Sequence, residues 1–212
     1  MENEPFYTTT PPKLGECLFD DFTWGPYSAR GGRTLLGTCV GTADMFEDGK
    51  ARFAKYDPSI KLVWSTEEVD TPLNNVSNLE SDTIDGLYNT TVLKNMGSDK
   101  YPAASYATTM FDGKGYIPTG KEVSICEQYI TKYISTTISV FHTSTEIDYK
   151  NRAYANGNRY GVTVDYSTVG NTTKKSNSEH VLVFFSVEVP KATYITTTDL
   201  ATTEKAGLMS SE

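Results

Sequence analysis

His180-Val181-Leu182-Val183-Phe184-Phe185-Ser186-Val187 reads as a buried central strand, because a near-continuous run of β-branched and aromatic residues leaves almost no polar face for water. A polar loop, Ser167 to Glu179, precedes it and turns the chain. Before that loop, Arg159-Tyr160-Gly161-Val162-Thr163-Val164-Asp165-Tyr166 alternates like a strand, and the two runs are expected to pair as a hairpin. After Pro190 the chain turns Thr-rich and weakly apolar, so residues 191–212 are expected to form a second arm rather than core.

Upstream, Thr119 with Glu122 three residues on is a capping-box pattern, and Val123, Cys126, Tyr129, Ile130 and Tyr133 follow at helical spacing. An amphipathic helix to about Ile134 is expected. Two shorter helices are read at residues 89–96 and 102–110, with Asn89 or Thr90 as a cap, Gly97 as a stop and Pro102 in a first turn. Asp112-Gly113-Lys114-Gly115 then forces a turn.

The first half is strand and turn: Cys17-Leu18-Phe19, a turn at Gly31-Gly32, the run Thr34 to Val40, Asp48-Gly49, and one more strand at Lys61-Leu62-Val63-Trp64. The polar stretch Ser65 to Asp85 reads as a connection. Residues 1–13, with Thr8-Thr9-Thr10-Pro11-Pro12, read as an extended arm.

Twelve per cent aromatic residues, Tyr above all, and abundant Thr favour pleated surfaces over helices. A formal charge of −8, with no basic run longer than Lys174-Lys175, excludes a nucleic-acid partner and argues against an anionic membrane. No basic and apolar leader opens the chain, and no stretch approaches the roughly 18 apolar residues of a spanning helix. Synthesis in the cytoplasm of a host cell is therefore expected. Cys17, Cys39 and Cys126 lack CxxC spacing and read as reduced, partly buried thiols. Without a secretion signal the sequons at Asn75, Asn89 and Asn171 read as chance matches.

Three segments now stand in order: Asp85-Gly86-Leu87-Tyr88-Asn89-Thr90, Gly97-Ser98-Asp99-Lys100-Tyr101-Pro102-Ala103-Ala104, and Asp112-Gly113-Lys114-Gly115-Tyr116-Ile117-Pro118-Thr119. With Thr143-Ser144-Thr145-Glu146 and the closing strands, this order resembles the C-type-lectin-like domain of unknown function found in bacterial surface proteins and in tailed phages of gut Bacteroidota, crAss-like phages included. The resemblance covers about Thr83 to Val189. Leu35 to Gly41, with Phe46 to Phe53 after it, resembles the strand and turn that precede this domain in phage head-fibre-like proteins. The resemblance implies an α+β fold with two main helices around a twisted antiparallel sheet, displayed on a virion.

Chemistry-bearing residues have competing structural readings. The calcium-binding EPN or QPD loop and WND strand of true C-type lectins do not occur, and Asp82-Thr83-Ile84-Asp85-Gly86 reads as a turn with Asx hydrogen bonds. The formylglycine-forming relatives of the fold need paired cysteines, whereas this half holds Cys126 alone. Ser144, His142 and Glu146 could be imagined as a nucleophilic grouping, yet no GxSxG elbow is present and a structural role is expected. His180 reads as a strand-end residue. Asp20-Asp21, Glu67-Glu68 and Glu146 with Asp148 read as solvated carboxylates. Trp24, Tyr27, Tyr149, Tyr154, Tyr160 and Tyr166 suit an interface or a sugar ring, and the loop from Tyr149 to Tyr160 is the first place to look for a ligand.

The expectation is a non-enzymatic phage structural protein, a head fibre or capsid decoration, with an arm at 1–13, a β-rich assembly unit at 14–82, a lectin-like domain at 83–190 and an arm at 191–212. No catalytic residue, cofactor or metal is expected. The partners expected are further copies in a dimer or trimer, other virion or capsid proteins, and, in the alternative reading as an adhesin, a host surface glycan. Nucleic acid and membrane are not among them.

Overall fold

The computed structural model describes residues 10–67, 69, 71–73, 82–134, 140–146, 152–156 and 172–189, with backbone alone at 152–156 and 172–174. The fold is α+β. Among the described residues eight strands are β1 (Cys17–Phe19), β2 (Trp24–Gly25), β3 (Leu35–Gly41), β4 (Lys50–Val63), β5 (Phe141–Glu146), β6 (Arg152–Asn156), β7 (Thr172–Lys174) and β8 (Ser178–Glu188). They form one mixed sheet in the order β2-β1-β3-β4-β8-β5-β6-β7. Among the described residues three α-helices pack on it: α1 (Gly86–Met96), α2 (Pro102–Ala107) and α3 (Gly120–Tyr133).

β8 occupies the middle of the sheet, as its apolar run predicts. Its long antiparallel partner is β4, from Lys50↔Glu188 to Val63↔Ser178. Since β4 comes from the first half, the sheet runs across the division expected at residue 82. The other half of the expected hairpin, Arg159 to Tyr166, lies outside the described residues, as do both expected arms apart from residues 10–13. Lys61 to Val63 is the end of β4 rather than a separate strand. The ladder is interrupted between Tyr56 and Lys61, where Pro58 has no N–H to donate. Asp57 Oδ1 accepts from the Ser59 N–H at 2.9 Å across that irregularity.

Alternate residues of β8 face opposite sides. Val181, Val183 and Val187 join Cys39, Phe53, Trp64 and the α1 and α2 residues Leu93, Ala103, Ala104 and Ala107. Leu182 and Phe184 join Val40, Ala54, Tyr116 and the α3 residues Val123, Cys126 and Ile130. One core therefore lies on each face, under α1 and α2 on one side and α3 on the other.

α3 begins after Thr119, with both capping-box bonds made, as its sequence predicts. α1 starts at Gly86, earlier than expected, because Asn89 and Thr90 sit inside it: Thr90 turns inward and accepts from the Ile117 N–H at 2.9 Å. α2 stops at Ala107, short of residue 110.

Phe184 is fully buried, edge-on to Tyr116 with ring centroids 6.3 Å apart. Phe184→Ala should cost about 3–5 kcal/mol, read as a lower urea midpoint with an unchanged slope.

Candidate functional site: ionic centres inside the fold

Among the described residues three carboxylates are drawn into the interior. The first, Glu122, sits on the first turn of α3. Its Oε1 accepts from Arg52 Nε at 2.9 Å and from the Tyr116 hydroxyl at 2.9 Å. Its Oε2 accepts from the Thr119 N–H at 3.0 Å. Arg52 projects from β4 beneath Phe46, its guanidinium 4.3 Å from the ring centroid, and also holds Asp48 at 2.8 Å. Tyr116 completes the group with a 2.6 Å bond to Ser186 of β8. Burial pushes the Glu122 carboxyl above its ordinary range, and Arg52 and the Thr119 N–H pull against that rise. A shallow groove of about 400 Å³, lined by Ala43, Asp44, Asp48, Lys50 and Glu188 among others, opens beside Asp48.

The second, Asp82, ties the start of α3 to β5. Its Oδ2 accepts from the Lys121 N–H at 3.0 Å and from the Thr145 hydroxyl at 2.7 Å, while Oδ1 accepts from the Thr83 N–H at 2.9 Å. The Thr83 bond is to the next residue rather than to the one two residues on that would close the expected Asx turn, and the carboxylate also faces the positive end of α3. Burial raises its pKa.

The third, Glu146, ends β5 and meets Lys175. Both side chains are fully buried. Lys175 Nζ also donates to the Val69 carbonyl at 2.8 Å and lies 4.9 Å from the centroid of the Trp64 ring. Thr71 donates to Glu146 through its N–H and its hydroxyl.

The imagined nucleophilic grouping is not assembled. His142 donates from Nε2 to the Leu62 carbonyl at 3.0 Å, since a carbonyl can only accept. Ser144 meets the Asn89 amide at 3.4 Å, and Glu146 is committed to Lys175 and Thr71. Burial pushes the His142 imidazole down to about 4. Cys17, Cys39 and Cys126 are free and buried, with burial pushing the Cys39 thiol up to about 12 and Cys126 higher still. Asp21 accepts from the Thr23 N–H within a local turn, Asp20 accepts from the Thr34 N–H at 3.0 Å fourteen residues on, and Glu67 pairs with Lys100 at 2.9 Å. Glu68, Asp148, Tyr149, Tyr160 and Tyr166 lie outside the described residues, as does the Tyr154 side chain. Trp24 packs on Phe53 and donates to the Thr10 carbonyl at 3.0 Å, whereas Tyr27 is 59% exposed. His180 packs edge-on to Tyr56 at the start of β8.

Arg52 and Lys175 are the residues that sequence reading passed over. Arg52 left a signal, a lone charge between Ala51 and Phe53 in a strand; Lys175 left none beyond membership of a short basic pair.

Comparison of the chain with protein-family models, with curated proteins and with solved structures finds no match.

Removing one partner of a buried pair strands the other charge. Arg52→Met should therefore cost about 3–5 kcal/mol, and Arg52→Met with Glu122→Leu should recover most of it in the same denaturation assay.

His142 makes the opposite kind of statement, through pH. Its pKa falls from 6.5 unfolded to about 4 folded, so the unfolded chain takes up the proton first. Stability should hold above pH 6.5 and drop by roughly 3 kcal/mol on the way down to pH 4. In His142→Gln that part of the acid limb should vanish, as measured by denaturation at pH 7 and pH 4.5.

Proposed function

We propose that this chain is a non-enzymatic structural component of a phage virion, a head fibre or capsid decoration that self-associates and displays a C-type-lectin-like domain. One observation carries the reading: the residues of the motif series that resembles that domain family are the ones that interlock. Gly86 of the first segment lies against Glu122, where an added Cβ would come within 2.5 Å of Oε2. Tyr101 of the second stacks edge-on against Trp64 at 5.7 Å. Tyr116 and Thr119 of the third bind Glu122, and Pro118 accepts from the Ser144 N–H at 2.8 Å. Thr145 of the fourth accepts from the Gly120 N–H at 2.9 Å and donates its hydroxyl hydrogen bond to Asp82 at 2.7 Å. A motif series kept for scaffold rather than for chemistry suits a displayed, durable module.

The exposed Tyr27, with the Arg30 guanidinium 5.9 Å from its ring centroid, stands next to the short edge strand β2. Tyr and Arg are favoured at protein interfaces, which supports contact with a further copy or a capsid protein there.

Light scattering on the full chain should give the mass of a dimer or trimer, and antibodies against it should label intact particles of tailed phages that encode it. A monomer at micromolar concentration together with unlabelled particles would overturn the proposal. A glycan-array signal abolished by Tyr154→Ala would move the reading to an adhesin.

A further inference from the structure

We propose that Lys175 and Glu146 are joined by an intramolecular isopeptide bond that the folded chain forms by itself. The site has the parts such a reaction needs, and it is independent of the virion reading. Lys175 is 0% exposed and Glu146 1% exposed, so neither charge is hydrated. Trp64 roofs the amine, and is itself fixed by donating from Nε1 to the Thr143 carbonyl at 2.9 Å and by the edge-on ring of Tyr101. The backbone of Lys175 is held too, its carbonyl accepting from the Ser65 N–H at 3.0 Å. Reacting groups held in contact behave as if at about 10⁵ M or more.

Nothing beyond the pair is consumed. In the first step one proton passes from the Lys175 ammonium to Glu146 Oε1 within the buried pair. The Nζ lone pair then attacks Cδ, forming the C–N bond, while the C=O electrons move onto Oε2. That oxygen lies under the Thr71 N–H, at 3.2 Å, and under the Thr71 hydroxyl, donors placed where the negative charge develops. Oε1 takes a second proton from Nζ and leaves as water as the Oε2 carbonyl reforms. The third proton stays on nitrogen and keeps its bond to the Val69 carbonyl. Ammonium plus carboxylate has become amide plus water.

The product closes the chain between residues 146 and 175, joining the end of β5 to the turn that leads into β8. Such a bond would resist unfolding by force or acid in a way that an ion pair cannot.

Intact mass spectrometry of the denatured full-length chain decides the matter. The expected mass is one water below that of the sequence, with a branched proteolytic peptide linking the segments around Glu146 and Lys175. Lys175→Arg and Glu146→Ala should restore the full sequence mass. The wild-type reading needs no variant to fold. A full-mass wild-type chain after prolonged incubation, or a water lost without the branched peptide, overturns the proposal.

Discussion

A carboxylate with no exposure to water must have every lone pair answered, and Glu122 is such a group. Its partners come from separate parts of the chain: Arg52 on β4, Tyr116 in the segment that bridges to Phe184 of β8, and the Thr119 N–H at the cap of its own helix. The start of α1 follows from the same demand, because only a residue without a side chain fits at Gly86, between Glu122 Oε2, the Ile117 carbonyl and the Tyr116 ring. One side chain thus sets the position of a strand, two helix starts and a bridging segment, and the apolar cores fill in around that frame.

What the sequence made legible follows from which information is local. The 3.6-residue period and the cap at Thr119 define α3, and the unbroken apolar run defines β8 as central. Both are properties of contiguous residues. Pairing is not local. Alternation along Lys50 to Val63 says which face each residue takes but not that the neighbour lies more than a hundred residues away. The Asp57-Pro58 irregularity further divided one long strand into two apparent short ones. The expected unit at 14–82 rested on local strand and turn patterns, and such patterns do not show that β4 pairs with β8.

The interior ionic groups were legible unevenly for the same reason. Glu122 was read as a cap, which it is, but its burial depends on Arg52, seventy residues earlier in sequence. Asp82 was read as a turn residue, and its reach to Thr145 and to the start of α3 is tertiary. His142, Ser144 and Glu146 stood close enough in sequence, at alternate positions of one strand, to suggest a grouping, yet each found a partner on a different element: Leu62, Asn89 and Lys175. Proximity along the chain was misleading here, and contact across it decided the chemistry.

The same accounting bears on how copies of the chain can meet. The buried pairs Arg52–Glu122 and Lys175–Glu146 each sum to zero, whether ionic or, for the second, amide. The whole formal charge of −8 is therefore carried by the remaining residues. Like-charged copies repel over about a Debye length, roughly 10 Å at 0.1 M salt. Self-association must then use a locally basic or apolar patch, and the strip around Tyr27, Arg30 and Arg33 beside β2 is one such place. Arg33 is stacked 4.2 Å from the Phe19 ring centroid and paired to Asp21 at 3.3 Å, and the half-buried Arg30 is bonded to the Arg33 carbonyl and the Tyr27 hydroxyl, which leaves Tyr27 as the group that faces outward. If copies met there through the apolar face of Tyr27, added salt would screen the repulsion between the acidic chains and strengthen the contact, whereas a contact made through the arginines would weaken.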